Sequence, residues 1–343
     1  MAILLNNWTG FLSFFLFALL AIPTDALPQR KGGNGGGGGG GGGGGTATAA
    51  GGPPKFSKAK DGSMIMDKTV VINGLNIRYK ISAPADQFTT ASGAAGGGQT
   101  ANATGTAGLN VLLHGDGGQS FQDFPNQNVQ NNLMGVVVLA PDPNLFWGGG
   151  SGLERTDGVA HSAAVNDLIQ NQLPQDVAFD KTNVFFTGVS GGSLMLSGFF
   201  VPAFGAQYKT GVELNCGALA PQVAVVDAPT MIANTRIHFQ TSQDELTLLQ
   251  KSIPASITAY EKLAKDNGLD AAAIGSLQTV DSTPVGGGHC GFDSKDFVSG
   301  VQLMASNYAN VMSKDGTGEV KGIGNVKKTV VGNEAIKFVK GKK

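Results

Sequence analysis

Apolar residues along this chain fall into short runs separated by glycine, serine and polar clusters. Residues 109–113 and 135–140 are continuous apolar stretches, the pattern of strands buried on both faces of a sheet. Residues 184–187 form another such run, and 213–219 and 236–240 read as further strands. Upstream, 69–72 and 75–81 flank Asn73-Gly74, which predicts a hairpin. Longer segments at 158–173, 253–265 and 296–312 carry helical patterns. Strands alternating with helices predict an α/β fold, with a mostly parallel central sheet and helices on both faces, over residues 64–313.

Composition changes the picture outside that region. Residues 1–26 are expected to be a signal peptide. Their apolar run from Phe11 to Ile22 is short for a membrane span, and Pro23 and small residues lead to an exit near Ala26. The charged segment that usually precedes such a run is missing apart from the α-amino group. Arg30-Lys31, just beyond, is a dibasic pair of the kind that propeptide processing uses. Residues 27–63 are so rich in glycine that they cannot bury enough surface to offset their ordering entropy, and a disordered tether is expected. A low-complexity insert at 91–108 contains Asn102-Ala103-Thr104, which makes Asn102 an N-glycosylation acceptor on the secretory route. Residues 314–343 read as a basic Gly/Lys-rich tail in solvent. The expectation is a secreted, extracellular protein without stable membrane insertion.

The formal net charge of −1 gives no electrostatic case for nucleic acid or an anionic membrane surface, and points to a neutral substrate. Oligomeric state is left open. With 53 glycines in the chain, an isolated G-x-S-x-G would mean little. Gly188-Val189-Ser190-Gly191-Gly192 gains meaning from its flanks, an apolar strand before it and an apolar helix after it. That context predicts a tight strand-to-helix turn which exposes the Ser190 hydroxyl as a nucleophile.

A serine hydroxyl needs an adjacent base, usually a histidine oriented by a carboxylate. Of the four histidines, His114 and His161 precede Ser190, and His238 sits within an apolar strand. His289, in Gly286-Gly287-Gly288-His289-Cys290-Gly291, remains as the base. Asp244, at the exit of the 236–240 strand, is the expected acid. Its neighbour Glu245 is a possible replacement, with Asp227 the runner-up and Asp281 third. An oxyanion hole needs two backbone N–H donors. Gly191 supplies one, and Gly115 or Asp116, in the turn His114-Gly115-Asp116-Gly117-Gly118 after an apolar strand, supplies the other.

These motifs, in this order, resemble the α/β-hydrolase superfamily over residues 64–312. More narrowly, the chain resembles secreted esterases of the feruloyl-esterase and polyhydroxybutyrate-depolymerase type. The resemblance implies hydrolysis of a small-molecule or polymer-linked carboxylic ester through an acyl-enzyme, with no metal or organic cofactor. Phe146 and Trp147 follow the fourth strand on the side where active-site loops gather, and are expected to line an acyl or aromatic subsite. Cys216 and Cys290 are the only cysteines. In an oxidising compartment they are expected to bridge, closing a loop of about 75 residues worth on the order of 4 kcal/mol in the chain-entropy model. A serine peptidase shares the same constellation, and a non-catalytic cell-wall or binding protein on the same fold is the alternative from a different class.

Overall fold

The computed structural model describes residues 51–339. The expected signal peptide and most of the tether therefore lie outside the described residues. Twelve strands are described: β1 (Lys55–Lys58), β2 (Met64–Ile72), β3 (Leu75–Ala83), β4 (Gly108–Leu113), β5 (Leu133–Leu139), β6 (Val184–Val189), β7 (Gly211–Asn215), β8 (Arg236–Gln240), β9 (Gln278–Asp281), β10 (Glu319–Val320), β11 (Gly324–Asn325) and β12 (Lys328–Thr329). Ten of them form one sheet in the order β1-β2-β3-β5-β4-β6-β7-β8-β9-β12. From β5 to β9 every neighbouring pair is parallel. The β2–β3 hairpin joins antiparallel to β5 at one side, and β12 pairs antiparallel with β9 at the other. This is the α/β-hydrolase fold.

Alternation along the central strands explains why they bury both faces. Leu109, Val111 and Leu113 of β4 enter one apolar core, while Leu112 enters a second. In β5, Val136 and Val138 go with the first core and Val137 with the second. Ten α-helices are described, among them the short α1 (Gln119–Asp123), α3 (Leu173–Asp176) and α8 (Ala271–Leu277). The first core is closed by α2 (Gly158–Asp167), α5 (Val201–Tyr208) and α7 (Leu249–Asp266), through residues such as Val165, Val201 and Ile257. The second is closed by α9 (Phe297–Ser306) and α10 (Tyr308–Met312), through Val301, Met304 and Tyr308. Parallel strands need this double cover, and the continuous apolar runs in the sequence reflect it.

Three expectations about the periphery are corrected. The tether does not run unstructured to residue 63, because Lys55–Lys58 pairs with β2 as an edge strand. It has little apolar surface of its own and all four residues are exposed, so the sheet edge supplies its order. The segment after residue 313 is not a solvated tail through its described length. Val320, Val326 and Val330 are buried, and β12 extends the main sheet. Its lysines disguised this: Lys327 donates from Nζ to the carbonyls of Ser313 and Gly316 while the apolar residues around it point inward. The strand expected over 213–219 ends at Asn215, since Cys216 turns into the left-handed region at φ 48°.

The insert at 91–108 packs against the domain through bridges between Thr89 and Gln99 and between Thr104 and Phe179. Gly105 is required there, because a Cβ would lie 2.4 Å from the Ala178 carbonyl oxygen.

The face under α9 and α10 also carries polar residues across β7, β8 and β9. Glu213, His238 and Thr279 lie side by side in register. His238 bonds to Thr279 and to Gln240, which in turn donates to Asp281. Glu213 is fully buried and neither carboxylate oxygen has a hydrogen-bond partner. Loss of hydration pushes its carboxyl up to about 8 from an ordinary 4.5. Between those values folding takes up a proton, so Glu213 costs the native state stability as pH rises through them. Burial holds His238 down at about 4 and gives the opposite slope, confined below its ordinary 6.5. Glu213→Gln should therefore flatten the decline in stability between about pH 6.5 and pH 8. Urea midpoints that fall equally in wild type and variant over that range would contradict a buried, protonated Glu213.

Candidate active site

Ser190 stands where β6 ends and α4 (Gly191–Met195) begins, with φ 51° and ψ −112°. A non-glycine residue pays strain for that conformation, which persists only where surrounding structure holds it. Ser190 N donates to the Asn215 carbonyl at 2.8 Å, and the Ser190 carbonyl accepts from Leu194 N at 3.0 Å. The flanking glycines are dictated by space. A Cβ on Gly188 would lie 2.6 Å from Ser193 Cα, and one on Gly192 would lie 2.0 Å from the Leu113 carbonyl oxygen. Strand and helix can meet at this angle only with both side chains absent.

His289 approaches from the loop between β9 and α9. Its Nε2 lies 2.9 Å from Ser190 Oγ. Its Nδ1 is bonded to Glu245 Oε1. With the Nδ1 proton donated to a carboxylate, Nε2 is left as the acceptor for the serine hydroxyl. Glu245 is 1 % exposed. Oε1 also accepts from Leu246 N, and Oε2 is buried without a partner. Among the described residues, His289 is the only side chain that meets this carboxylate.

The expected acid is thus corrected from Asp244 to Glu245. Asp244 turns the other way, and its Oδ2 accepts from the amides of Gly286 and Gly288. Two consecutive carboxylates at a strand exit face opposite directions, and no sequence signal says which one reaches the imidazole. The other candidates are engaged elsewhere. Asp227 caps α6 (Ala228–Asn234) by accepting from Thr230 N, and Asp281 holds Gln240 and Thr283.

The turn after β4 passes beside Ser190, where a Cβ on Gly115 would lie 3.4 Å from Ser190 Cβ. Gly117 N is bonded to the Leu145 carbonyl and Gly118 N to that of Gly115. The amides of Asp116 and Gly191 take no part in the loop and turn hydrogen bonds that hold this turn among the described residues. His114 staples this turn from below. Its Nδ1 donates to the Gly115 carbonyl and its Nε2 accepts from Ala140 N, while burial lowers it to about 4 and keeps it neutral. His161 likewise accepts from Gly148 N and is held down by burial.

Arg155 was not singled out in the sequence, and it ties the site's loops together. Its guanidinium makes paired bonds to the Asp116 carboxylate at 2.9 and 2.7 Å and donates to the carbonyls of Trp147 and Gly152. The Asp116 side chain lies over Gly191, whose Cβ position is 2.0 Å from Asp116 Oδ1.

Trp147 does not line a subsite. Its indole is fully buried, with ring centroids 5.5 Å from His114 and 6.2 Å from His161. Phe146 remains half-buried. The aromatic wall beside the relay is Phe297 at the start of α9. Its ring lies 5.8 Å from that of His289, and its Cζ is 3.4 Å from the Gly115 Cβ position. Its place directly after the histidine loop was the only hint in the sequence.

Cys216 and Cys290 form a disulfide, with Cα atoms 5.1 Å apart. The bridge joins the chain leaving β7 to the residue after His289. Both sulfurs and His289 offer atoms within 4.8 Å of one another. The sulfurs are bonded to each other, however, and the imidazole nitrogens are engaged by Ser190 and Glu245. Asn102 is exposed, as a glycan acceptor must be.

No known family model matches the chain, and no curated protein matches it. Similar solved structures include the BES protein from Bacillus cereus, at 12 % identity over 69 % of this chain and 94 % of that one, with a TM-score of 0.42. A cold-adapted esterase from an Arctic intertidal metagenomic library is 13 % identical over 74 % of this chain and 96 % of that one, with a TM-score of 0.40. A phospholipase/carboxylesterase from Dyadobacter fermentans is 15 % identical over 61 % and 92 %, with a TM-score of 0.39. At such distances the functional reading rests on the site itself.

Opening the bridge should cost stability. Removing a native disulfide typically costs about 2–5 kcal/mol. The double variant Cys216→Ala, Cys290→Ala is expected to lose an amount in that range by urea denaturation. A change below about 1 kcal/mol would mean that the bridge constrains little.

Proposed function

We propose that the protein is a serine esterase that hydrolyses carboxylic esters through an acyl-enzyme. The observation that carries this reading is the unbroken line from Ser190 Oγ to His289 Nε2, and from His289 Nδ1 to Glu245. It lies at the carboxyl ends of the strands, where the order reverses around β4. Open α/β sheets bind their ligands at such a switch point.

In this reading the hydroxyl proton passes to His289 Nε2 as Ser190 Oγ attacks the ester carbonyl carbon. The carbonyl oxygen takes the negative charge and is met by the amides of Gly191 and Asp116. Glu245 holds the imidazole in the tautomer that accepts this proton, and its charge stabilises the imidazolium. The carbon–oxygen bond to the alcohol then breaks, and Nε2–H gives its proton to the departing alkoxide. Water repeats the sequence on the acyl-enzyme, releasing the carboxylic acid and restoring Ser190. His114 and Arg155 hold the turn that carries the Asp116 amide, and Phe297 forms the aromatic wall beside the reacting groups.

A neutral ester, small or attached to a polymer, suits the chain's balanced charge. Secretion, with a bridged cysteine pair and a glycan on Asn102, belongs to the same proposal.

Two outcomes test it. Short- and medium-chain p-nitrophenyl esters should be hydrolysed by the wild type, and Ser190→Ala should abolish turnover. Hydrolysis that survives this substitution would overturn the reading. Glu245→Gln keeps the shape but loses the charge and favours the wrong tautomer. It is expected to lower kcat by on the order of 10³- to 10⁴-fold. A loss under about tenfold would remove Glu245 from the acid role.

A further inference from the structure

Asp244 stands next to the relay's carboxylate, yet the chemistry gives it nothing to do. The residues leaving β8 grip the segment that ends in His289 at several points. Ser242 Oγ donates to the Gly288 carbonyl at 2.8 Å, and Gln243 N donates to the Pro284 carbonyl at 2.8 Å. Asp244 Oδ2 accepts from Gly286 N at 2.5 Å and from Gly288 N at 3.3 Å. Two amides from one turn thus converge on a single oxygen, as in the backbone nests that hold anions.

The gripped segment is ill suited to holding itself. Gly286 and Gly288 adopt φ of +89° and +72°, and with Gly287 they give the histidine a tether without side chains. Glycine loses more conformational freedom on ordering than any other residue. A catalytic imidazole, by contrast, must be held within about 0.5 Å of its productive position. The bonds that order this turn have to come from outside it.

We propose that Asp244 is a positioning residue, a hydrogen-bond clasp on the 286–288 turn that fixes His289 between Ser190 and Glu245. The neighbouring carboxylates divide the work. Glu245 acts on the imidazole through its charge, and Asp244 acts on the backbone through its acceptor geometry. The inference rests on the esterase reading for its catalytic consequence, although the clasp itself does not.

Acceptor geometry and charge are separable. Asparagine keeps a carbonyl oxygen with two lone pairs at the same reach, whereas alanine keeps none. Misplacing a catalytic group by about 1 Å can cost on the order of 100-fold. Asp244→Ala should therefore slow fluorophosphonate labelling of Ser190 by about 10- to 100-fold, and lower kcat on p-nitrophenyl esters similarly with little change in KM. Asp244→Asn should stay within about threefold of wild type in both, the residual loss reflecting weaker neutral hydrogen bonds. Amide exchange over 286–289 should quicken by at least about tenfold in the alanine variant and by little in the asparagine variant. Should the alanine protein fail to fold, Asp244→Ser, whose hydroxyl is too short to reach the two amides, takes its place with the same losses expected.

Asp244→Asn falling as far as the alanine variant would show that the charge matters, and would overturn the proposal. So would wild-type labelling or unchanged exchange in Asp244→Ala. If the wild-type protein takes no label at all, the esterase reading fails, and the exchange rates alone decide whether the clasp exists.

Discussion

The site is organised around the backbone conformation of Ser190. A residue with a side chain sits at φ 51° and ψ −112° because β6, α4 and the start of the chain beyond β7 leave it no other place. Its N–H is taken by Asn215 and its carbonyl by Leu194 N, while Gly188 and Gly192 let a strand, a helix and the end of β4 come within van der Waals distance. Packing in the two apolar cores supplies the energy that holds this turn. The consequence for chemistry is direct: Ser190 stands at the carboxyl end of a central strand, with Gly191 opening the helix that follows.

Around that fixed point, three loops from three different strand ends must converge, and each is secured by a different kind of bond. The turn after β4 is held by the neutral His114 and by the buried Arg155 paired with the half-buried Asp116. Glu245 comes from the β8 exit and is buried with the imidazole as its only polar side-chain partner among the described residues. The histidine loop is tied covalently through Cys290 on one side of His289 and by hydrogen bonds from Ser242, Gln243 and Asp244 on the other. The glycine-rich character of this protein thus serves close approach at the elbow and the insert, and creates a need for external restraint in the histidine loop.

Much of this was legible in the sequence, for identifiable reasons. Largely apolar runs located β4, β5 and β6, because strands covered on both faces leave few polar positions to blur them, whereas β8 was legible from Ile237 and Phe239 alternating with polar neighbours. Ser190 and His289, which the structure brings to 2.9 Å of one another, were legible because each sits in a distinctive local context. The carboxylate that meets the imidazole lies one residue beyond the expected one. Asp244 and Glu245 leave the same strand, and only the path of the turn, a long-range property, decides which is buried. Trp147 was misplaced for a similar reason, since nothing local distinguishes an aromatic that walls a site from one that packs beneath it on His114. Arg155 went unseen because a lone arginine before a helix carries no motif. The peripheral strands β1 and β12 were hidden by composition, as order there is borrowed from the edges of a sheet that distant residues build.

In the proposed reaction Ser190, activated by His289, carries the acyl group. Rapid mixing with a p-nitrophenyl ester, followed by acid quench and peptide mass mapping, tests it most directly. A transient mass increase equal to the acyl group less one hydrogen is expected on the peptide containing Ser190, and is expected to be absent in His289→Ala. Turnover with no such adduct, or an adduct on another residue, would contradict it.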